Sequence, residues 1–343
     1  MMGRQTLRKI RRLLRNPRRV GDQLHRRGHR QAANAAQSGR GGSPDLHPES
    51  FLIITLDSCR FDIFDEASIP VIKSIGEYFE AHSPAVFTFA AHAALFVGMT
   101  PGIASSRERY KNPKVGRIFR IVNRIAGGVR SDYMQLQGRT IVDGFRNRGY
   151  YAIGTASSRW FNPDVPTGTI LTQDFDEFFN TEIDLEAQVG WLLKRMEEHA
   201  DQPIFAFINV GETHVPYHYR GAPWEKKNPC VLFGEENDAQ LCHDRQLACL
   251  EFCDRVLAPL IQRFQAVGAS ILCMGDHGDC HGEDGLWAHG IYHETVMRVP
   301  MMYHLRPHHI AADEINLDNE NVEVPVIEEM GDHQPSVSAT AHD

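Results

Sequence analysis

The 343-residue sequence contains no apolar run of about eighteen residues, the length needed to cross a bilayer as a helix. Its basic start is not followed by the apolar stretch of a secretory signal. Seven cysteines, at positions 59, 230, 242, 249, 253, 273 and 280, form no Cys-x-x-Cys pair and none of the spacings of a zinc-binding cysteine site. Their odd number leaves at least one thiol free, which in a chain of this size points to a reducing compartment. These absences predict a soluble, cytoplasmic protein. Internal repeats are also missing. Acids are scarce in one place: residues 1–40 carry 12 Lys/Arg against the single Asp22, a charge of +11 in a chain whose formal net charge is −8. The remainder is therefore −19. A body that acidic will not hold nucleic acid over a broad face, because phosphate neutralisation needs clustered basic side chains.

What is present is an ordinary globular composition, 42% hydrophobic and 23% charged. Leu7, Ile10 and Leu14 stand at helical spacing in the Arg-rich "TLRKIRRLLRNPRR". Residues 1–30 could therefore lie on an anionic membrane, dock on a protein partner, resemble a transit peptide, or simply be a solvated leader. Residues 31–49 are small and polar, the composition of a flexible linker. A folded catalytic domain is expected over 50–313, followed by an acidic, peripheral tail over 314–343 with a disordered end.

Within the domain, "FLIITLD" reads as a buried strand that delivers Asp57 at its carboxyl end. Helix-like and strand-like segments then alternate: "TIVDGFRNRG" before "YYAIGTAS", "EIDLEAQVGWLLKRMEEHA" before "PIFAFINVGETH", and "RQLACLEFCDRVLAPLIQRFQAVG" before "SILCMGDHGD". Cys242, Cys249 and Cys253 fall on one helical face, as core packing requires. This alternation predicts an α/β fold with a mostly parallel central sheet and helices on both faces, where ligands bind beyond the carboxyl ends of the strands.

Three polar constellations occupy those ends: "LDSCRFD" with Asp57, Arg60 and Asp62; "NVGETHVPYHY" with Glu212, His214 and His218; and "GDHGDCHGEDGLWAHGIYHE" with Asp276, His277, Asp279, His281, His289 and His293. Carboxylate plus imidazole on a sharp turn suits Zn²⁺ or Mn²⁺ better than Ca²⁺. A fourth segment, "VFTFAAHAALFVGMTPG", is apolar except for Thr88, His92 and its end. Thr88 could cap a buried helix in which His92 is a satisfied core histidine. It could also be a nucleophile at a helix N-terminus, where backbone N–H groups favour an anion.

In order and spacing, "LDSCRFD", "FTFAAHAALFVG", "PIFAFINVGETHVPY" and "GDHGDCHGEDGLWAHGIYHETVMRVP" resemble signature regions of the sulfatase and alkaline-phosphatase superfamily, over roughly residues 50–305. The resemblance implies Asp57, Thr88, Asp276 and His277 as ligands of one divalent ion. A second ion stays open through His281, His289 or His293. Thr88 stands where sulfatases carry the Cys or Ser that becomes formylglycine, with Ala90 and His92 in place of their proline and arginine. Sulfate-ester hydrolysis is therefore not expected, and Thr88 looks like the threonine nucleophile of the branches that attack phosphorus. His214 matches a substrate-contacting histidine, and His289 stands where sulfatases have a lysine at the ester oxyanion. Both are expected to be catalytic, with Arg60, His92 and His293 on the substrate side. The implied activity is metal-dependent hydrolysis of a small anionic phosphate or phosphonate ester through a phosphothreonine. A phosphoryl or phospho-alcohol transferase of the same fold is the alternative, ahead of a sulfatase or a silent scaffold.

Overall fold

The computed structural model describes residues 46–98, 139–232 and 234–307. The expected leader, most of the linker and the acidic tail lie outside the described residues, as does the Lys/Arg-rich stretch 105–132. The strands are β1 (Phe51–Leu56), β2 (Tyr78–His82), β3 (Tyr151–Ala156), β4 (Glu177–Asn180), β5 (Ile204–Val210), β6 (Ser270–Gly275), β7 (Cys280–His281), β8 (Trp287–Ala288) and β9 (Arg298–His304). The α-helices are α1 (Phe61–Glu66), α2 (Pro70–Lys73), α3 (Thr88–Val97), α4 (Ile141–Asn147), α5 (Pro166–Thr172), α6 (Leu185–Glu198), α7 (Ala239–Ala266) and α8 (Glu294–Met297).

Seven strands form one sheet in the order β2-β9-β6-β1-β5-β3-β4. β6, β1, β5, β3 and β4 run parallel, whereas β9 is antiparallel to both β6 and β2. The sheet is thus mostly parallel, as the strand and helix alternation predicts. The antiparallel pair at one edge is what that alternation did not signal. β1 lies at the centre with Leu56 level with Val210 and Gly275, so the chain leaves β1, β5 and β6 side by side. Continuous apolar runs suit such strands because helices cover both of their faces.

Side-chain alternation divides the core between those faces. Leu52, Ile54 and Leu56 join Ala206, Ile208 and Val210 in a cluster with Leu192 of α6 and Leu257, Leu260 and Phe264 of α7. Ile53, Phe205 and Phe207 face the other way, against Phe89 and Phe96 of α3, Val142 of α4 and Leu171 of α5. Each large apolar side chain buried there contributes about 1.5–3 kcal/mol.

α7 begins at Ala239, six residues before the expected start at Arg245, because the Asp238 side chain accepts a hydrogen bond from the Leu241 N–H and caps the helix. Cys242, Cys249 and Cys253 are all buried along it. No helix among the described residues is long and apolar enough to cross a membrane.

Candidate metal centre and substrate cavity

Asp57 follows the last residue of β1, and Asp276 and His277 follow β6. The Asp57 turn is closed by Ser58 in the left-handed region, at φ 59°. Ser58 N–H then donates to Asp276 Oδ1 at 3.0 Å, joining the two strand ends. On the other side of β1, the Thr213 hydroxyl donates to the Asp57 carbonyl at 2.6 Å. Gln246 of α7 donates through its side-chain amide to the carbonyls of Ser58 and Thr213, at 2.9 Å each. Gly278 continues the Asp-His turn because a Cβ there would lie 2.2 Å from the Thr295 carbonyl oxygen.

Thr88 completes the group as the first residue of α3. Its Oγ1 lies 3.3 and 3.5 Å from the carboxylate oxygens of Asp57 and 3.3 Å from His277 Nε2. His277 Nε2 lies 3.6 Å from Asp57 and 3.7 Å from Asp276. Phe87, not Thr88, is the N-cap of α3, and no side chain caps the helix. The first-turn N–H groups therefore have no side-chain acceptor and face the same strand ends, a setting that favours an anion.

This arrangement fits a bound cation. Asp276 Oδ2 is buried without a hydrogen-bond partner. Burial and the nearby Asp57 push the Asp276 carboxyl well above its usual range, as like charges side by side in a buried site require. His277 is pushed down to about 3 by burial and by His289, so its ring is neutral. Its Nδ1–H donates to the Gly278 carbonyl at 3.0 Å, leaving the Nε2 lone pair for a metal. Asp57, Asp276 and His277 form one group of clustered ligand-type atoms, and His277, Asp279 and His289 form another.

His289 and Asp279 are a bonded pair. His289 Nδ1–H donates to Asp279 Oδ1 at 2.7 Å, and the Tyr217 hydroxyl donates to Asp279 Oδ2 at 2.7 Å. Burial would raise the Asp279 carboxyl, but His289, His214 and His277 hold it well below the usual carboxylate range. Burial would likewise lower His289, but Asp279 outweighs it and raises the imidazole above its ordinary value. The His289 ring lies 4.5 Å from that of His277 and 5.0 Å from that of His214, centroid to centroid.

Three residues expected on the substrate side stand elsewhere. Arg60 is only 6% exposed. Its guanidinium donates to Asp62 (2.6 and 2.9 Å), Glu283 (2.6 Å) and the Asp279 carbonyl (3.1 Å), which leaves one N–H of five. It ties the first motif to the last. His92 is fully buried; its Nδ1–H donates to the Thr88 carbonyl and its Nε2 accepts from the Thr55 hydroxyl, both at 2.8 Å. Burial holds it neutral with a pKa of about 4, edge-on to Phe161 and Phe207. It braces α3 beneath Thr88 and has no nitrogen left for a substrate. His293 caps α8, accepting from the Thr295 N–H at 3.1 Å. Of the residues left open for a second ion, only His289 falls in a ligand-type group. His281 Nε2 is 2.9 Å from the Tyr217 hydroxyl.

Asp279 was visible in "GDHGD" but had no assigned partner. Its partners lie 10 and 62 residues away, a separation that carries no motif signal. Gln246 gave no signal either, as a polar residue inside a helix.

Beside the centre lies a cavity of about 750 Å³. It extends from Asp57 and His214 along the ends of β5, β3 and β4, past Trp160, Asn180 and Ile183.

No protein-family model matches the sequence, and no curated protein matches it. Solved structures do. One is the C-terminal periplasmic domain of phosphoethanolamine transferase EptC from Campylobacter jejuni (14% identity, 75% of this chain and 80% of that one, TM-score 0.51). Another is the soluble domain of lipooligosaccharide phosphoethanolamine transferase A from Neisseria meningitidis (12% identity, 78% and 79%, TM-score 0.50). A third is the sulfatase candidate yidJ from Bacteroides fragilis (14% identity, 79% and 70%, TM-score 0.51). The chain shares the fold of these solved structures, a mixed α/β architecture with a mostly parallel central sheet. At such identities the likeness concerns architecture alone. The expected cytoplasmic location does not stand, because the Campylobacter neighbour that shares this fold is a periplasmic domain. All seven cysteines are free and buried, so they report packing, not compartment.

Proposed function

We propose that the protein is a metal-dependent enzyme that cleaves phosphate or phosphonate esters through a covalent phosphothreonine at Thr88. The observation that carries this reading is the convergence of Asp57 and His277 on Thr88 Oγ1, at 3.3–3.5 Å, beside a buried Asp276 oxygen without a hydrogen-bond partner among the described residues.

Asp57, Asp276, His277 and Thr88 would hold a divalent ion; the donor set suits Zn²⁺ or Mn²⁺ better than Ca²⁺. When bound, such an ion supplies Lewis acidity that eases loss of the hydroxyl proton and polarises a phosphoryl oxygen. The Thr88 hydroxyl gives its proton to water in the cavity. Its oxygen bonds to phosphorus as the bond to the departing alcohol breaks. The N–H groups at the start of α3, which no side chain caps, would receive the charge that develops on the non-bridging oxygens. His289, protonated and oriented by Asp279, gives a proton to the departing oxygen. The now neutral imidazole takes a proton from water, whose oxygen attacks phosphorus. Thr88 leaves and regains a proton from solvent. The His214 ring, 5.0 Å from that of His289, supports a share in the same proton transfers.

Interception of the phosphothreonine by an alcohol is the second reading. It is supported by the phosphoethanolamine transferases among proteins of this fold, and by a cavity far larger than a phosphate needs.

The test is turnover of bis-p-nitrophenyl phosphate, p-nitrophenyl phosphate and p-nitrophenyl sulfate by zinc- or manganese-loaded protein, with mass spectrometry of quenched Thr88 peptides. Cleavage of a phosphorus ester with a phosphate adduct on Thr88 is expected. A metal-loaded protein that cleaves only the sulfate, or that turns over phosphorus esters equally well as Thr88→Val, overturns the reading. Release in water enriched in heavy oxygen, with and without added alcohol, separates hydrolysis from transfer.

A further inference from the structure

The cavity beside the centre is not shaped for a simple alcohol. At about 750 Å³ it falls in the range of pockets that enclose a whole drug-sized ligand, so most of it serves the organic part of an ester. Its walls mix Trp160, Val165, Ile183 and Val215 with polar side chains. They can approach closely at the floor, where a Cβ on Gly211 would lie 2.6 Å from that of Ser157.

Its charges are distinctive. Arg159, from the turn after β3, and Lys226, from the loop after β5, both line it. Neither side chain has an ion-pair or hydrogen-bond partner among the described residues, although most arginines of the domain are paired. Glu182 is the single acid lining the cavity besides Asp57, and a cation in the centre would offset the charge of Asp57. Among the described residues the cavity therefore presents two unpaired cations against one acid, within a body whose formal charge is strongly negative. Such a local reversal focuses anions, and a guanidinium is suited to bind a carboxylate or phosphate through two hydrogen bonds.

We infer that the substrate is an ester whose organic portion carries a second anionic group, a carboxylate or phosphate, which Arg159 and Lys226 bind while the reacting phosphorus sits at Thr88. This rests on the proposed phosphorus chemistry for the location of the first anion.

The test uses two non-hydrolysable phosphonates on zinc-loaded, full-length protein: pentylphosphonate and ω-carboxypentylphosphonate, whose affinities are compared by calorimetry. The carboxylated probe is expected to bind about tenfold more tightly, as one well-placed charged contact in a partly screened site allows. In the Arg159→Gln, Lys226→Gln double variant the ratio should fall towards one, in Lys226→Glu below one, and in Glu182→Gln it should rise. Circular dichroism and metal content establish that each variant is folded and loaded. Equal affinity for the two probes in the unaltered protein, or an unchanged ratio in the double variant, overturns the inference. A tenfold preference without turnover of any phosphorus ester overturns the proposed function and leaves standing only the anion site at Arg159 and Lys226. Turnover with no preference does the reverse.

Discussion

Asp57 and Asp62 lie five residues apart in one motif, yet they belong to two regions of opposite character. Around Asp57, the polar atoms are buried and incompletely paired: Asp276 Oδ2 has no partner, and the start of α3 has no side-chain cap. Around Asp62, the Arg60 guanidinium spends four of its five N–H groups on Asp62, Glu283 and the Asp279 carbonyl. Buried polar groups are costly unless partnered. The first region is therefore built to receive something, and the second is already complete. Proximity in sequence does not distinguish a ligand from a brace; the state of hydrogen-bond satisfaction does.

Breaking the first region should have the largest consequences. Asp276→Asn keeps the shape of the side chain and removes its charge, so bound metal measured by mass spectrometry should fall below one-tenth. Turnover should fall by about 10³-fold, on the scale of lost metal-assisted charge stabilisation. Full metal content with full turnover would remove Asp276 from the ligand set. Next, His289→Ala should cost about 10²–10⁴-fold in kcat with metal retained, as expected for loss of a general acid. Asp279→Asn should cost about 10–100-fold through disorientation of His289. An Asp279→Asn effect greater than that of His289→Ala would contradict this order.

Arg60→Met tests the completed region. It leaves Asp62, Glu283 and the Asp279 carbonyl without their donor and should cost about 1–3 kcal/mol in denaturant unfolding, with bound metal unchanged. Loss of metal at full stability would move Arg60 into the centre.

The smallest effect should come from Glu212, which accepts from the Leu185 N–H with one carboxylate oxygen and leaves the other unpartnered. Burial pushes this carboxyl up to about 7. Because the folded value exceeds the unfolded one of about 4.3, its stabilising contribution is complete below that value and is lost as pH rises towards 7. Glu212→Gln should flatten the melting temperature between pH 5 and 8 and raise it at the upper end by a few degrees. A variant whose melting profile still falls like that of the parent would assign the pH dependence to other groups.

Much of this was legible in the chain. Apolar runs ending in Asp57 and in "GDHGD" announce buried parallel strands with carboxylates and an imidazole at their carboxyl ends, since the period of apolar residues is a local property. The strand-helix alternation likewise implies the sheet. The antiparallel β9 and the early start of α7 were not legible, because an edge pairing and a single capping aspartate are weak local signals. The segment around Thr88 shows the boundary best. Of the helix-cap reading, His92 as a satisfied core histidine holds, whereas Thr88 as the cap does not: Phe87 occupies that position and frees the hydroxyl for the strand ends.

Residue order and type alone were enough for the fold class and for the clustering of carboxylates, imidazoles and a threonine at the strand ends. These depend on short-range pattern and on chemistry that each side chain carries with it. Folding in three dimensions assigned the roles. It turned Arg60 and His92 inward, gave Asp279 to His289, and set Arg159 and Lys226 on the wall of one cavity. A side chain's function depends on what its polar atoms are left to bind, and those partners come from strands and loops far apart in the chain.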